Sequence, residues 1–183
     1  MRKALGFFFA AALLVPVGVI ATSPAGAAAK LPTCKTLMGV QTFKPGLPKL
    51  GDPKKVTSTT KSTAKITGCT GGGVTGGTTV SKPGTYKGNC TTLLSAKKGT
   101  VTKGSSTITW SNHKTSTVTT TLTSLSAPGS ASPQLKLESK FTVGQFKGTT
   151  STTTIKATAP AGSCTQKALT QFNFVNTKPF TNK

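Results

Sequence analysis

Hydrophobic positions in this chain recur at every second residue, with threonines and lysines between them. The pattern is clearest over residues 105–125. Ile108 and Trp110 share one parity, and Thr107 and Thr109 take the other. After Ser111-Asn112-His113-Lys114, Val118 and Leu122 again share a parity, among Thr117, Thr119, Thr121 and Thr123. Period-two alternation in β-branched residues, broken by turn-forming ones, predicts two antiparallel strands, each with one buried face.

The same alternation recurs on both sides of this hairpin. Over residues 55–67, Val56, Ser58, Thr60, Ser62, Ala64 and Ile66 share a face. That face is small at its centre, so either a bend falls there or a bulky neighbour fills the space. Short strands are expected over 78–81 and 85–90, around Lys82-Pro83-Gly84. Leu135, Leu137, Phe141 and Val143 alternate with polar residues, and Phe146 is placed to plug one end of the core. Residues 151–159 follow, with Ile155, Ala157 and Ala159 inward. A last strand over 164–175 puts Cys164, Ala168, Phe172 and Phe174 on one parity. The polar tail from Asn176 is expected to fray. Residues 30–53 carry Pro32, Pro45 and Pro48 and read as an extended arm or edge strand, with Val40 and Phe43 docking on the core.

About eight to ten strands at short, regular spacing predict an all-β fold, an antiparallel β-sandwich, with a small closed β-barrel as the alternative. No stretch after the first 29 residues shows a 3.6-residue period. The expected core is Ile108, Trp110, Val118, Leu122, Leu135, Leu137, Phe141 and Phe172, and the inward residues look just sufficient to fill it. A disordered, glycosylated Ser/Thr-rich stalk would lack this regular alternation.

The amino terminus changes the compartment. Met1-Arg2-Lys3, an apolar run to Ile20 and an Ala-x-Ala end predict a secretory signal peptide over 1–29. Residues 30–183 then form a single secreted all-β domain, without a transmembrane segment once the signal is removed. The four cysteines, Cys34, Cys69, Cys90 and Cys164, all follow this leader. An even count in a secreted chain predicts disulfides. Three pairings are possible. Cys34–Cys69 with Cys90–Cys164 is preferred, because it pins the N-terminal segment to the first long strand and ties the middle of the chain to the last strand. The lone histidine and the lack of a Cys-x-x-Cys pair leave no case for zinc.

Charge changes the partner. Lys and Arg number 23 against two acids, for a formal net charge of +21. The only arginine is Arg2, so the secreted part is basic through lysine alone. Lysines protect exposed strand edges from pairing between molecules. They also favour anionic partners, here a cell-wall polymer or lipid surface. Specific nucleic-acid recognition is not expected, since base readout and stacking draw on arginine and exposed aromatics.

Candidate chemistry is sparse. His113 is the only neutral-range base and lies in the hairpin turn. Asp52 precedes Pro53 and reads as a turn residue. Glu138 lies between Lys136 and Lys140 as a surface ion-pair partner. Neither a triad nor a carboxylate pair is assembled by the sequence. Gly71-Gly72-Gly73 and Gly76-Gly77 lack the strand-to-helix context of a phosphate loop and read as turns. The expectation is no catalytic residue, no cofactor and no metal.

Three segments carry a resemblance: Thr67-Gly68-Cys69-Thr70-Gly71, Ile108-Thr109-Trp110-Ser111, and residues 141–148, Phe-Thr-Val-Gly-Gln-Phe-Lys-Gly. In these the chain resembles a group of small secreted β-proteins of high-GC Gram-positive bacteria. That resemblance implies an immunoglobulin-like sandwich and no activity. The function expected from the sequence is therefore non-enzymatic binding at the anionic cell envelope. A barrel holding a small apolar ligand is the alternative, and it requires an interior cavity.

Overall fold

Alternating residues become strands, and the strands follow one another with short turns. The computed structural model describes residues 30–182 except Ala131, so the expected signal peptide over 1–29 lies outside the described residues. The strands are β1 (Thr33–Leu47), β2 (Val56–Thr70), β3 (Gly76–Ser81), β4 (Gly84–Gly88), β5 (Val101–Trp110), β6 (Thr115–Ser124), β7 (Gln134–Gly144), β8 (Thr150–Thr158), β9 (Leu169–Asn176) and β10 (Thr181–Asn182). A short helix, α1 (Cys90–Leu94), separates β4 from β5.

The sheet closes on itself. β1, β2, β3, β5, β6, β7, β8 and β9 pair in that order, and β9 returns to β1, giving an eight-stranded antiparallel barrel. The closure is visible at one residue: Gly39 on β1 faces Ala64 of β2 on one side and Phe174 of β9 on the other. This replaces the immunoglobulin-like sandwich expected from the sequence. A sandwich needs two sheets with free edges, whereas β1 here has none. Residues 30–53 are accordingly not an arm or edge. Their centre is β1, a 15-residue strand paired on both sides.

Two strands of the ring are broken and continued. β3 pairs with residues 63–67 of β2, and β4 takes up residues 56–60 beyond Lys82-Pro83, where a ladder N–H is missing at the proline. At the other seam, Asn176 Oδ1 accepts from Leu37 N at 2.8 Å and Asn176 Nδ2 donates to Lys35 O at 2.9 Å. Phe180 N then donates to Cys34 O, and β10 pairs with β8. The tail expected to fray is thus fastened across the β8–β1 seam.

Apolar side chains seal both ends of the barrel. At the end nearest the β5–β6 turn, Trp110, Phe141 and Phe146 pack together. Trp110 and Phe146 meet edge-to-face at 5.2 Å, and Phe141 lies 6.3 Å from each of the other two rings. Phe146 takes a left-handed backbone (φ 68) to turn its ring inward. Trp110 Nε1 donates to Ser116 Oγ at 2.9 Å, so the buried indole N–H is paired. At the far end, Phe43, Leu47 and Leu169 are buried around Cys90–Cys164, with Tyr86 and Phe172 against them. Of the other core residues expected, Ile108 and Val118 are buried, and Leu122, Leu135 and Leu137 are half-buried along the wall.

The disulfides join Cys34 to Cys69 and Cys90 to Cys164. The first links directly opposed residues of β1 and β2. The second ties α1 to the β8–β9 turn, where Cys164 sits at φ 68 instead of in the strand expected over 164–175. Asn89 caps α1: its Oδ1 accepts from Thr92 N, while its Nδ2 donates to Asp52 O and Lys54 O. Too short to show a helical period, α1 owes its form to this cap.

Candidate ligand-binding site

An eight-stranded barrel is just wide enough for its own side chains to fill it, or to hold one small ligand. The side chains decide which. Trp110, Phe141 and Ile155 point inward, but so do Ser62, Ser106, Thr120, Ser139 and Ser151. Each hydroxyl residue occupies a position where a leucine or phenylalanine would reach the axis. The result is a cavity of about 140 Å³ within the barrel. The expectation that the inward residues fill the core is therefore corrected. The small centre of the β2 face, Ser62 and Ala64, is met by Gly39 and the Phe174 ring, yet the space beyond it remains.

The lining is largely hydrocarbon, and two pairs of its polar side chains face each other across neighbouring strands. On one wall Ser62, opposite Gln41, hydrogen-bonds to the Gln41 side chain. On the other wall Ser139 of β7 faces Ser151 of β8. β2 and β7 are four strands apart around the eight-membered ring, so these walls oppose each other. Ser139 is 7% exposed and Ser151 2%. Ser151 Oγ has no hydrogen-bond partner in the protein. Two other buried hydroxyls are paired: Ser58 Oγ donates to Pro45 O at 2.7 Å, and Thr153 Oγ1 to Lys178 O at 2.6 Å.

The wall is weakest between β4 and β5. Lys82 N donates to Ser105 O at 2.8 Å, and β5 pairs with β3 only from Ser106 onward. β4 pairs with β2 alone, and no pairing joins β4 to β5 among the described residues. Leu122 faces Thr102 and Leu137 at this level, and it is half-buried. Gly129 N donates to Leu94 O at 2.8 Å, which fastens the β6–β7 loop to α1 across the gap.

The residues singled out for chemistry do not meet. His113 is exposed in the β5–β6 turn with φ 64. Asp52 lies in the β1–β2 turn at the opposite end, where its Oδ1 accepts from Lys54 N at 2.9 Å. Glu138 is on the outer face of β7, 3.0 Å from Lys136 Nζ. Gly71, Gly72 and Gly73 lie in the β2–β3 turn, with Gly72 against Phe146, whereas Gly76 and Gly77, expected in a turn, begin β3 and pair with Thr67 and Ile66. Among the described residues no cluster of three or more His, Cys, Asp or Glu side chains could hold a metal ion. No helix among them is long and apolar enough to cross a membrane.

The sequence places Ser58 and Ser62 on the inner face of β2, but nothing local shows that the equally small Ser139 and Ser151 stand across from them. The available signal was the parity of Ser58, Ser62 and Ala64 with Ile66, and of Ser139 with Phe141. No protein-family model, curated protein or solved structure matches the chain.

Proposed function

We propose that this chain is a secreted binding protein that holds a small apolar ligand inside its barrel and carries out no catalysis. The observation that carries the reading is the 140 Å³ cavity, lined mainly by apolar side chains. Apolar cavities of about this size in proteins stay dry and accept benzene-sized molecules. Two disulfides fit an oxidising, extracellular setting. The separation of His113, Asp52 and Glu138 supports binding over catalysis.

Thermal unfolding with and without benzene tests the reading. A ligand that binds only the folded state raises its stability with concentration. The expected result is a rise in Tm that grows with the logarithm of benzene concentration and is lost in Ser139→Leu, which fills the cavity. No rise, or an equal rise in the filled variant, would refute it.

A second reading is supported by the outer face. Lys35, Lys61, Lys65, Lys87, Lys103, Lys140 and Lys156 are exposed on six different strands. Such a surface favours association with an anionic cell envelope by electrostatics. Co-sedimentation with purified envelope at low salt, lost at high salt, is the expected outcome. No retention at either salt would remove this reading.

A further inference from the structure

Two features of the cavity restrict the chemistry of what it holds. No lining side chain carries a formal charge, although the chain as a whole is at +21. A charged ligand would lose its hydration there with no counter-ion to replace it. The second feature is Ser151. Its hydroxyl is buried, lines the cavity and meets no protein partner, while Ser58, Ser62, Ser116 and Thr153 all do. A buried polar group is normally hydrogen-bonded, and one left without a partner calls for a specific explanation. Ser139 lies directly opposite it, also buried. Other hydroxyl and amide side chains line the cavity on β1, β2, β3, β5 and β6, and Ser151 Oγ is the lining atom that is fully buried without a partner.

We infer that the ligand is an uncharged molecule of about one aromatic ring that bears a hydroxyl group, hydrogen-bonded to Ser151 Oγ. The inference rests on the reading of the barrel interior as the binding site. A serine hydroxyl both donates and accepts, so it suits a hydroxyl partner in either direction. The remaining lining, from Ile108 and Val118 to Phe141 and Ile155, would surround the ring.

Isothermal titration of the disulfide-bonded protein with toluene, p-cresol and p-toluate separates the possibilities. These probes share a methyl-substituted ring and differ in having no polar group, one hydroxyl or a carboxylate. One net hydrogen bond corresponds to roughly a threefold to tenfold gain in affinity. The expected order is p-cresol tighter than toluene by that factor, with no saturable binding of p-toluate. Ser151→Ala should bring p-cresol to the toluene level and leave toluene within about twofold. Equal binding of toluene and p-cresol by the unaltered protein overturns the inference and leaves the binding site standing. Binding of p-toluate as tight as that of p-cresol also overturns it. If neither neutral probe binds, the reading of the barrel as a ligand site fails as well.

Discussion

Adding one methyl group at Gly39 is expected to damage the barrel at its closing seam. Gly39 lies on β1 between β2 and β9. A Cβ there would fall 2.5 Å from Ala64 Cβ and 2.5 Å from Phe174 Cζ, and would press on the Thr63 carbonyl oxygen. Comfortable carbon contacts lie near 3.5–4.0 Å. The far edge of the Phe174 ring can swing aside. Thr63 O and Ala64 Cβ cannot, because both are fixed to the β2 backbone, so β1 and β2 must part. Overpacking of this kind costs about 1–3 kcal/mol. One or two weakened ladder hydrogen bonds add about 1 kcal/mol each. The stiffer unfolded chain returns only about 0.4–1 kcal/mol. Gly39→Ala should therefore lose about 2–4 kcal/mol, or roughly 5–15 °C in Tm for a domain of this size.

Chemical denaturation followed by the fluorescence of Trp110, the only tryptophan, gives the measurement. Trp110 sits in the buried aromatic plug, so its emission reports loss of the core. Ala64→Gly removes one of the two fixed obstacles and leaves the Thr63 carbonyl, so the double variant should regain about 1 kcal/mol of the sum of the single effects. Sites without contact are additive to within about 0.5 kcal/mol. Gly39→Ala stable to within that margin, or additivity with Ala64→Gly, would refute the β1–β2–β9 arrangement.

Other substitutions test other parts of the structure. Ser116→Ala should cost about 1–3 kcal/mol in the same denaturation assay, because it leaves the buried Trp110 N–H and the Gln145 carbonyl without their partner. Replacing both Cys90 and Cys164 by alanine opens a 74-residue loop and should cost about 4 kcal/mol by chain entropy, read as a lower Tm in calorimetry. Asn89→Ala removes the α1 cap and unpairs the Asp52 and Lys54 carbonyls, so a loss of about 2–3 kcal/mol is expected, with faster amide exchange at Thr92. Glu138→Gln, at a half-exposed ion pair with Lys136, should change stability by less than about 0.5 kcal/mol.

The strands were legible because burial imposes a period of two. Ile108, Trp110, Val118 and Phe141 read as inward, and they are buried. Closure was not legible. A sandwich and a barrel place the same alternation on each strand, and only the pairing of β1 with β9 distinguishes them. That contact joins Gly39 to Phe174 across most of the chain, and no local pattern encodes it. Cys164 and Phe146 depart from alternation because both adopt left-handed backbones in turns. Asn176 looked like the start of a loose tail because its two amide bonds run to β1, far away in sequence. The cavity was half-legible: Ser62 and Ala64 gave β2 a small inner face, but its consequence depended on what stood opposite. What stands opposite is Ser139 and Ser151, which leave the space unfilled.

The most direct test of a closed barrel with a ligand-accepting interior is methyl-resolved NMR of the disulfide-bonded protein titrated with toluene. Val118, Leu137 and Ile155 line the cavity, whereas Val80, Val101 and Val143 are exposed on the outside. The expected result is saturable shifts at the first three and none at the second. Shifts confined to the outer valines, or no saturable shift at any methyl, would contradict it.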